Sequence, residues 1–245
     1  MHDSAPAVAE GSSREAGARL HLRHRRHRLV VLLTFVTGCA DAMGFLALGG
    51  AFSSVMTGNM VLLGLSSGST DAHLAVSSGS AIGAYIVGVL LGARVAGRAA
   101  SDDQVWPVSV TWALVVELVA LSGLLVVWEL TLGDRSQALK LVLLMVLAAA
   151  LGIQGSAVQR FGVAGLSSTY LTGTLTTLIA GVANRQPRNV LLRHASVLVA
   201  LVVGAAVGSV VVLRIESLTP VLVVAPLTWV VLASLRLRAQ DNRTV

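Results

Sequence analysis

The chain has 245 residues, of which 55% are hydrophobic and only 12% charged, and its mean hydropathy is +0.79. A soluble domain carries about 25% charged residues, so this chain lacks the charge to cover a water-exposed surface. The net charge of +6 does not argue for nucleic acid, because aromatics are only 4% and the basic residues sit at the ends of apolar runs rather than on a stacking platform.

Residues 1–28 are rich in Ala, Ser, Gly, Arg and His and bury too little apolar surface to fold alone, which predicts a disordered basic cytosolic tail. His21, His24 and His27 recur every third residue, a spacing that invites a metal reading. Arginines separate all three, so the stretch HLRHRRHR is read as a solvated basic segment that orients the first span, with no metal or cofactor called for.

The run LVVLLTFVTGCADAMGFLAL, residues 29–48, is as long as the roughly 20 residues that cross a hydrocarbon core. It carries an acid, Asp41, at a depth where a charge costs about 2.5–3.5 kcal/mol on insertion scales. Thr34, Thr37, Gly38 and Asp41 fall on one helical face, which predicts that this face turns to the bundle interior. Asp41 there either takes part in a solute or proton pathway or locks helices together through hydrogen bonds. Cys39, the single cysteine, follows Val36-Thr37-Gly38 in a lipoprotein-like pattern. The apolar run continues unbroken past it, so lipidation is not expected.

Further long apolar runs occupy 76–97, 108–130, 138–158, 195–213 and 219–235. Glu117 lies ten residues into 108–130, and Gln154 and Gln159 bring polarity to 138–158. Residues 237–245 form a second cytosolic tail. None of the runs alternates apolar and polar residues as a β-barrel strand would.

Two segments differ from the rest. Residues 53–68 (SSVMTGNMVLLGLSSG) and 166–183 (LSSTYLTGTLTTLIAGVA) are short, glycine-interrupted and rich in hydroxyls. They occupy corresponding places in what reads as an internal repeat, 29–131 and 138–236. Gly152 follows Gly38 by 114 positions, Thr172-Gly173 follows Thr57-Gly58 by 115, and Gly204 and Gly208 follow Gly88 and Gly92 by 116. Short or broken segments paired in this way point to a transporter's binding site, since non-helical backbone at membrane depth survives only where protein or a wet cavity satisfies it. Two ordinary helices packed through small residues would read similarly. On the first reading Gly58 and Gly173 permit the breaks, and bulk there is expected to do more damage than at Gly97. The Gly88/Gly92 and Gly204/Gly208 pairs are read as close helix contacts, with Gly79 and Gly83 extending the flat surface of the third run.

The fold class expected is therefore an all-α polytopic membrane protein of two related halves, with six full spans and two short segments. If those segments re-enter, all Lys and Arg except Arg135, Lys140 and Arg214 fall on the cytosolic side, and the halves are inverted. If they cross, eight spans result, Arg94, Arg98, Arg160 and Arg214 fall outside, and the halves are parallel. Both arrangements satisfy the positive-inside rule, and the first does so slightly better.

The string GCADAMGFLALGGAFSSVMTGNMVLLGL resembles the signature of the YoaK-like family of bacterial integral membrane proteins. The matching positions are Gly38, Asp41, Ala42, Phe45, Leu46 and Thr57-Gly58-Asn59 in the first half. In the second they are Gly152, Gln154 and Thr172-Gly173-Thr174-Leu175. Gly155-Ser156 stands where the family pattern has Asn-Ala. The resemblance implies a multi-pass protein of the bacterial inner membrane and supplies no substrate, because the family's function is unknown.

The functional expectation is a small-solute transporter or channel. Its site would lie between the two Thr-Gly segments, lined by Asp41, Thr57, Gly58, Asn59, Glu117, Gln154, Thr172, Gly173 and Thr174. Its partners would be the lipid bilayer, a small solute or ion, and a further copy of the chain if it oligomerises. The alternative is a non-transporting membrane scaffold or regulator. An enzyme is not expected, since no HExxH occurs and no histidine lies mid-span.

Overall fold

The computed structural model describes residues 5–97, 106–160 and 171–241. Its elements, in order, are α1 (Ala5–Ala47), α2 (Met56–Ser69), α3 (Ala72–Ala96), α4 (Val108–Leu130), α5 (Gln137–Gln159), α6 (Leu171–Ala183), α7 (Arg188–Arg214), a 3₁₀ turn (Glu216–Leu218) and α8 (Val221–Asp241). No strand occurs among the described residues. Polar breaks set the boundaries. Asp71 caps α3 by accepting from the Leu74 N–H at 3.0 Å, and Ser136 caps α5 by accepting from Leu139 at 3.2 Å; both satisfy a donor that a helix start leaves orphaned. Pro107 and Pro187 stand just before α4 and α7, where the missing N–H costs nothing.

Helix α1 continues back to Ala5, where composition alone predicts disorder. Its first half has good helix formers in Ala, Glu and Arg, and it extends a helix already fixed by packing, so no nucleation cost is incurred.

Six helices are long and apolar enough to span a membrane: the part of α1 from Leu20 to Ala47, and α3, α4, α5, α7 and α8. At ~1.5 Å per residue, the 14 residues of α2 and the 13 of α6 reach only ~20 Å, short of the ~30 Å core.

Contacts fix the relative directions of the spans. Helix α1 runs parallel to α7: the His27 imidazole lies 3.0 Å from Ser196 Oγ, and Cys39 lies against Gly208. Helix α3 runs parallel to α5, since Gly88 meets Ala149 and Gly92 meets Ile153. Helices α1 and α5 are antiparallel: Gln154 bonds to Thr37 at 2.9 Å while Gly44 lies near Leu144. Helices α4 and α8 are antiparallel too, with Thr111 bonded to Ser234 at 3.1 Å and, at the other end, Trp128 Nε1 donating to the Glu216 carbonyl at 3.1 Å. Arg135 seals that second end, paired with the Glu216 carboxylate and stacked 3.6 Å over the Trp128 ring. Because α1 and α3 run in opposite directions, α2 does not carry the chain across; the same holds for α6 between α5 and α7. This is the six-span arrangement, not the eight-span one.

Two interlocking contacts hold the bundle. A Cβ on Gly38 would overlap the Leu201 carbonyl oxygen of α7, and one on Gly204 would overlap the Phe35 carbonyl. A Cβ on Gly152 would overlap the Tyr85 carbonyl of α3, and one on Gly88 would overlap the Ala149 carbonyl. Only glycine allows backbones this close. Gly79 and Gly83, in contrast, have nothing within 4 Å; the close surface of α3 is the Gly88–Gly92 end alone. Large aliphatics on the outer faces of α3, α4, α7 and α8, such as Leu90, Val119, Val202 and Leu232, are exposed, as lipid-facing residues are.

Candidate functional site

Asp41 stands six residues before the end of α1, almost wholly buried. After Ala47 the chain turns on Gly49 and Gly50, whose φ values of +124° and +77° suit glycine. Gly49 lies against His73 and Ser77 at the start of α3, and the chain then doubles back along α1 by roughly 9 Å. Asp41 receives it there. One carboxylate oxygen accepts from the Ser53 N–H at 2.9 Å, the Ser53 hydroxyl at 3.0 Å and the Ser54 N–H at 2.7 Å; the other accepts from the Ser54 hydroxyl at 2.6 Å.

Asn59, fully buried in the first turns of α2, completes the clamp. Its Oδ1 accepts from the Phe52 N–H at 2.8 Å and its Nδ2 donates to the Phe52 carbonyl at 2.7 Å. The Phe52 ring stacks on Phe45 with centroids 4.9 Å apart. Residues 51–54 thus form a short non-helical stretch in which side chains bind the Phe52 N–H and carbonyl and the Ser53 and Ser54 N–H groups, as non-helical backbone in a bilayer requires. Asp41, Phe45 and Asn59, three residues of the signature string, serve this one loop.

The glycines predicted to break the short segments do not do so. Gly58 and Gly173 both lie inside helices, α2 and α6, and the break falls earlier, at 48–55. A Cβ on Gly58 would sit 3.2 Å from Val55 and 3.3 Å from the Phe52 ring, whereas Gly173 has open space around it. Thr57, Thr172 and Gly173 are exposed and Thr174 is buried. The part of the second segment before Leu171 lies outside the described residues. At the position 114 residues after Asp41 stands Gly155, which has no side chain with which to clamp a loop.

Gln154 is buried against α1, with Nε2 donating to Thr37 Oγ1 at 2.9 Å and toward the Leu33 carbonyl at 3.4 Å; no donor among the described residues reaches its Oε1. Thr34 and Thr37 are buried, as the polar stripe predicts, and their hydroxyls return to the Val30 and Leu33 carbonyls at 3.0 Å, a backbone bond that hydroxyls readily make within helices. Gln154 and Asp41 are therefore neighbours, about one turn of α1 apart. Glu117 is separate. It is 0% exposed in the middle of α4 and makes no hydrogen bond to any of these residues.

Sequence reasoning missed Ser53, Ser54 and the Phe52 backbone as the partners of Asp41 and Asn59. The signal was available, since SSVMTGN places two small donors just ahead of an Asn. One further string, Gly64-Leu65-Ser66-Ser67-Gly68, has the GxSxG spacing of a hydrolase nucleophile. It lies inside α2 with Ser66 Oγ donating to the Leu63 carbonyl at 2.7 Å, whereas that chemistry needs a strand-to-helix elbow.

Comparison with known proteins gives a family. Residues 29–235 match a family described as protein of unknown function, DUF1275. The chain is also 32% identical over 195 residues to the UPF0700 transmembrane protein YoaK of Bacillus subtilis (strain 168), covering 78% of this chain and 84% of that one. No solved structure matches.

Proposed function

The chain belongs to the DUF1275 family of multi-pass membrane proteins, and from that premise we propose that it moves a small solute or ion across the bacterial inner membrane, along a path bordered by the two short helices. The observation that carries the reading is the arrangement of the halves. Helices 114 to 116 residues apart in sequence make equivalent contacts with their partners exchanged: α1 crosses α7 as α5 crosses α3, and α1 opposes α5 and α4 opposes α8 head to tail. These contacts support reading the halves as an inverted repeat, and each half adds one helix too short to cross. Transporters are commonly built so, with the site where the repeats meet.

In this reading Asp41 and Asn59 position the 51–54 loop, and Gln154, Thr174 and the exposed Thr57 and Thr172 lie along the path. The test is uptake of labelled amino acids, sugars, organic acids and monovalent ions into proteoliposomes. Flux of at least one class above that of protein-free vesicles is expected. Folded protein that moves none of them would favour a scaffold.

Orientation supplies a second expected result. Among the described residues, all Lys and Arg except Arg135, Lys140 and Arg214 stand at the end holding the start of α1 or beyond it, so that end is assigned to the cytosol. With Cys39 replaced by Ala, single cysteines at Ser69 and Asp134 should react with a membrane-impermeant thiol reagent in intact cells. One at Asn184 should react only after the membrane is opened. Labelling of Ser69→Cys and Asn184→Cys from the same side would overturn the six-span topology, and full reversal would overturn only the orientation.

A further inference from the structure

The two buried mid-membrane acids have opposite surroundings. Asp41 accepts four hydrogen bonds from Ser53 and Ser54. Glu117 is equally buried, and neither of its carboxyl oxygens has a hydrogen-bond partner among the described residues. It sits on the packed face of α4, in a stripe with Val110, Ala113, Leu114, Leu121 and Leu124. An ionised carboxylate without partner or donor in such a place is far costlier than the neutral acid, so the group is held by a proton or by an ion. No three His, Cys, Asp or Glu side chains come together among the described residues, and a metal ion wants several oxygen ligands. A proton needs only one.

We propose that Glu117 is the membrane-embedded proton-binding site of this protein, neutral in the conformation described here and exchanging its proton with water in another. The proposal rests on the transport reading only in the use made of the proton; the site itself stands on the geometry. It places the exchangeable proton on Glu117 and leaves Asp41 the task of holding the loop. The helices packed on α4 are α3, α5 and α8. The ionisable groups they carry are His73, Tyr85 and Arg94 on α3, Lys140 on α5, and Arg236, Arg238 and Asp241 on α8, beside Glu129 on α4 itself. All except Tyr85 stand near helix ends, so no charged side chain on these helices is level with Glu117. The nearest buried hydroxyls along the way to the basic end are Thr111 and Ser234, hydrogen-bonded to one another at 3.1 Å and to Trp106 through Thr111 at 3.0 Å. They lie about one and a half turns of α4 from Glu117.

Infrared spectroscopy of the full chain in proteoliposomes tests this without any substrate. The wild type should show the carbonyl stretch of a protonated carboxylic acid at neutral pH. That band should shift in heavy water, fade as the pH is raised and be missing from Glu117→Gln, while Asp41→Asn retains it. Should Glu117→Gln not insert, the wild type alone decides by reaction with the apolar reagent dicyclohexylcarbodiimide, which adds to protonated buried carboxyls. Peptide mapping should then find the adduct on Glu117, lost at alkaline pH. A wild type with neither band nor adduct overturns the proposal. So does a band that neither titrates nor exchanges, which would make Glu117 a sealed structural acid. If the band behaves as expected but no solute moves in the uptake assay, the transport reading fails and the proton site stands.

Discussion

Replacing Asp41 with alanine is expected to destabilise the protein by about 2–4 kcal/mol and to release the loop at 51–54. The Ser53 and Ser54 N–H groups would lose their acceptor in a buried place, and each orphaned donor costs about 1–3 kcal/mol. The two serine hydroxyls would lose theirs as well. Asparagine at this position keeps one oxygen for the two N–H groups, and the Ser54 hydroxyl can turn to accept from the new amide, so Asp41→Asn should be the milder change. Thermal unfolding in detergent, read by size-exclusion chromatography, gives the stability order, and amide exchange of residues 52–55 reports on the loop. An alanine variant with wild-type stability and wild-type protection at Ser53 and Ser54 would show that the clamp has no structural weight.

A methyl group at the helix crossings is expected to have an effect of similar size. Gly88→Ala and Gly204→Ala should each cost about 2–4 kcal/mol, at or above the upper end for overpacking, because the new carbon meets a backbone carbonyl that no rotamer change can move aside. Leucine at either position should leave no folded protein. The comparison set is Gly79, Gly83, Gly123 and Gly173, around which there is nothing within 4 Å; alanine there should be neutral or stabilise by up to about 1 kcal/mol through helix propensity. Equal losses in both sets would mean that the two crossings are not where the bundle is held. Gly97, read from sequence as more tolerant of bulk than Gly58 or Gly173, is itself constrained. Its φ of +65° with ψ of −172° is a conformation open essentially to glycine alone, and a Cβ would come within 3.1 Å of Arg160.

How far the site was legible depended on the kind of interaction. The inward polar face of α1 was predictable, because helical periodicity alone sets which residues share a face, and Thr34, Thr37 and Asp41 do lie buried together. Glycine was a poorer guide. The same residue marks a carbonyl contact at Gly88, a tight turn at Gly49 and open space at Gly173, and nothing local separates these. The segments 53–68 and 166–183 are recognisable as short, but the first break falls at 48–55 rather than at Gly58, and side chains from α1 and α2 bind the backbone of residues 52–54 there.

What the sequence by itself determined is the class and the six full-length spans, while whether the two short segments also cross was left open. A helix satisfies its backbone polar groups within itself, as lipid demands of a spanning segment, so length and composition of each apolar run show whether it can cross. Residues from Leu29 to Leu235 could be read one run at a time. Direction, partnership and the state of the acids could not. Parallel and inverted halves differ by contacts such as Thr111 with Ser234, 123 residues apart, and both orders satisfy the same charge pattern. Asp41 and Glu117 look alike in the sequence, each an acid inside an apolar run. Only the folded chain brings four donors to the first and, among the described residues, none to the second, because a loop from a neighbouring segment reaches one helix face and packed apolar side chains cover the other.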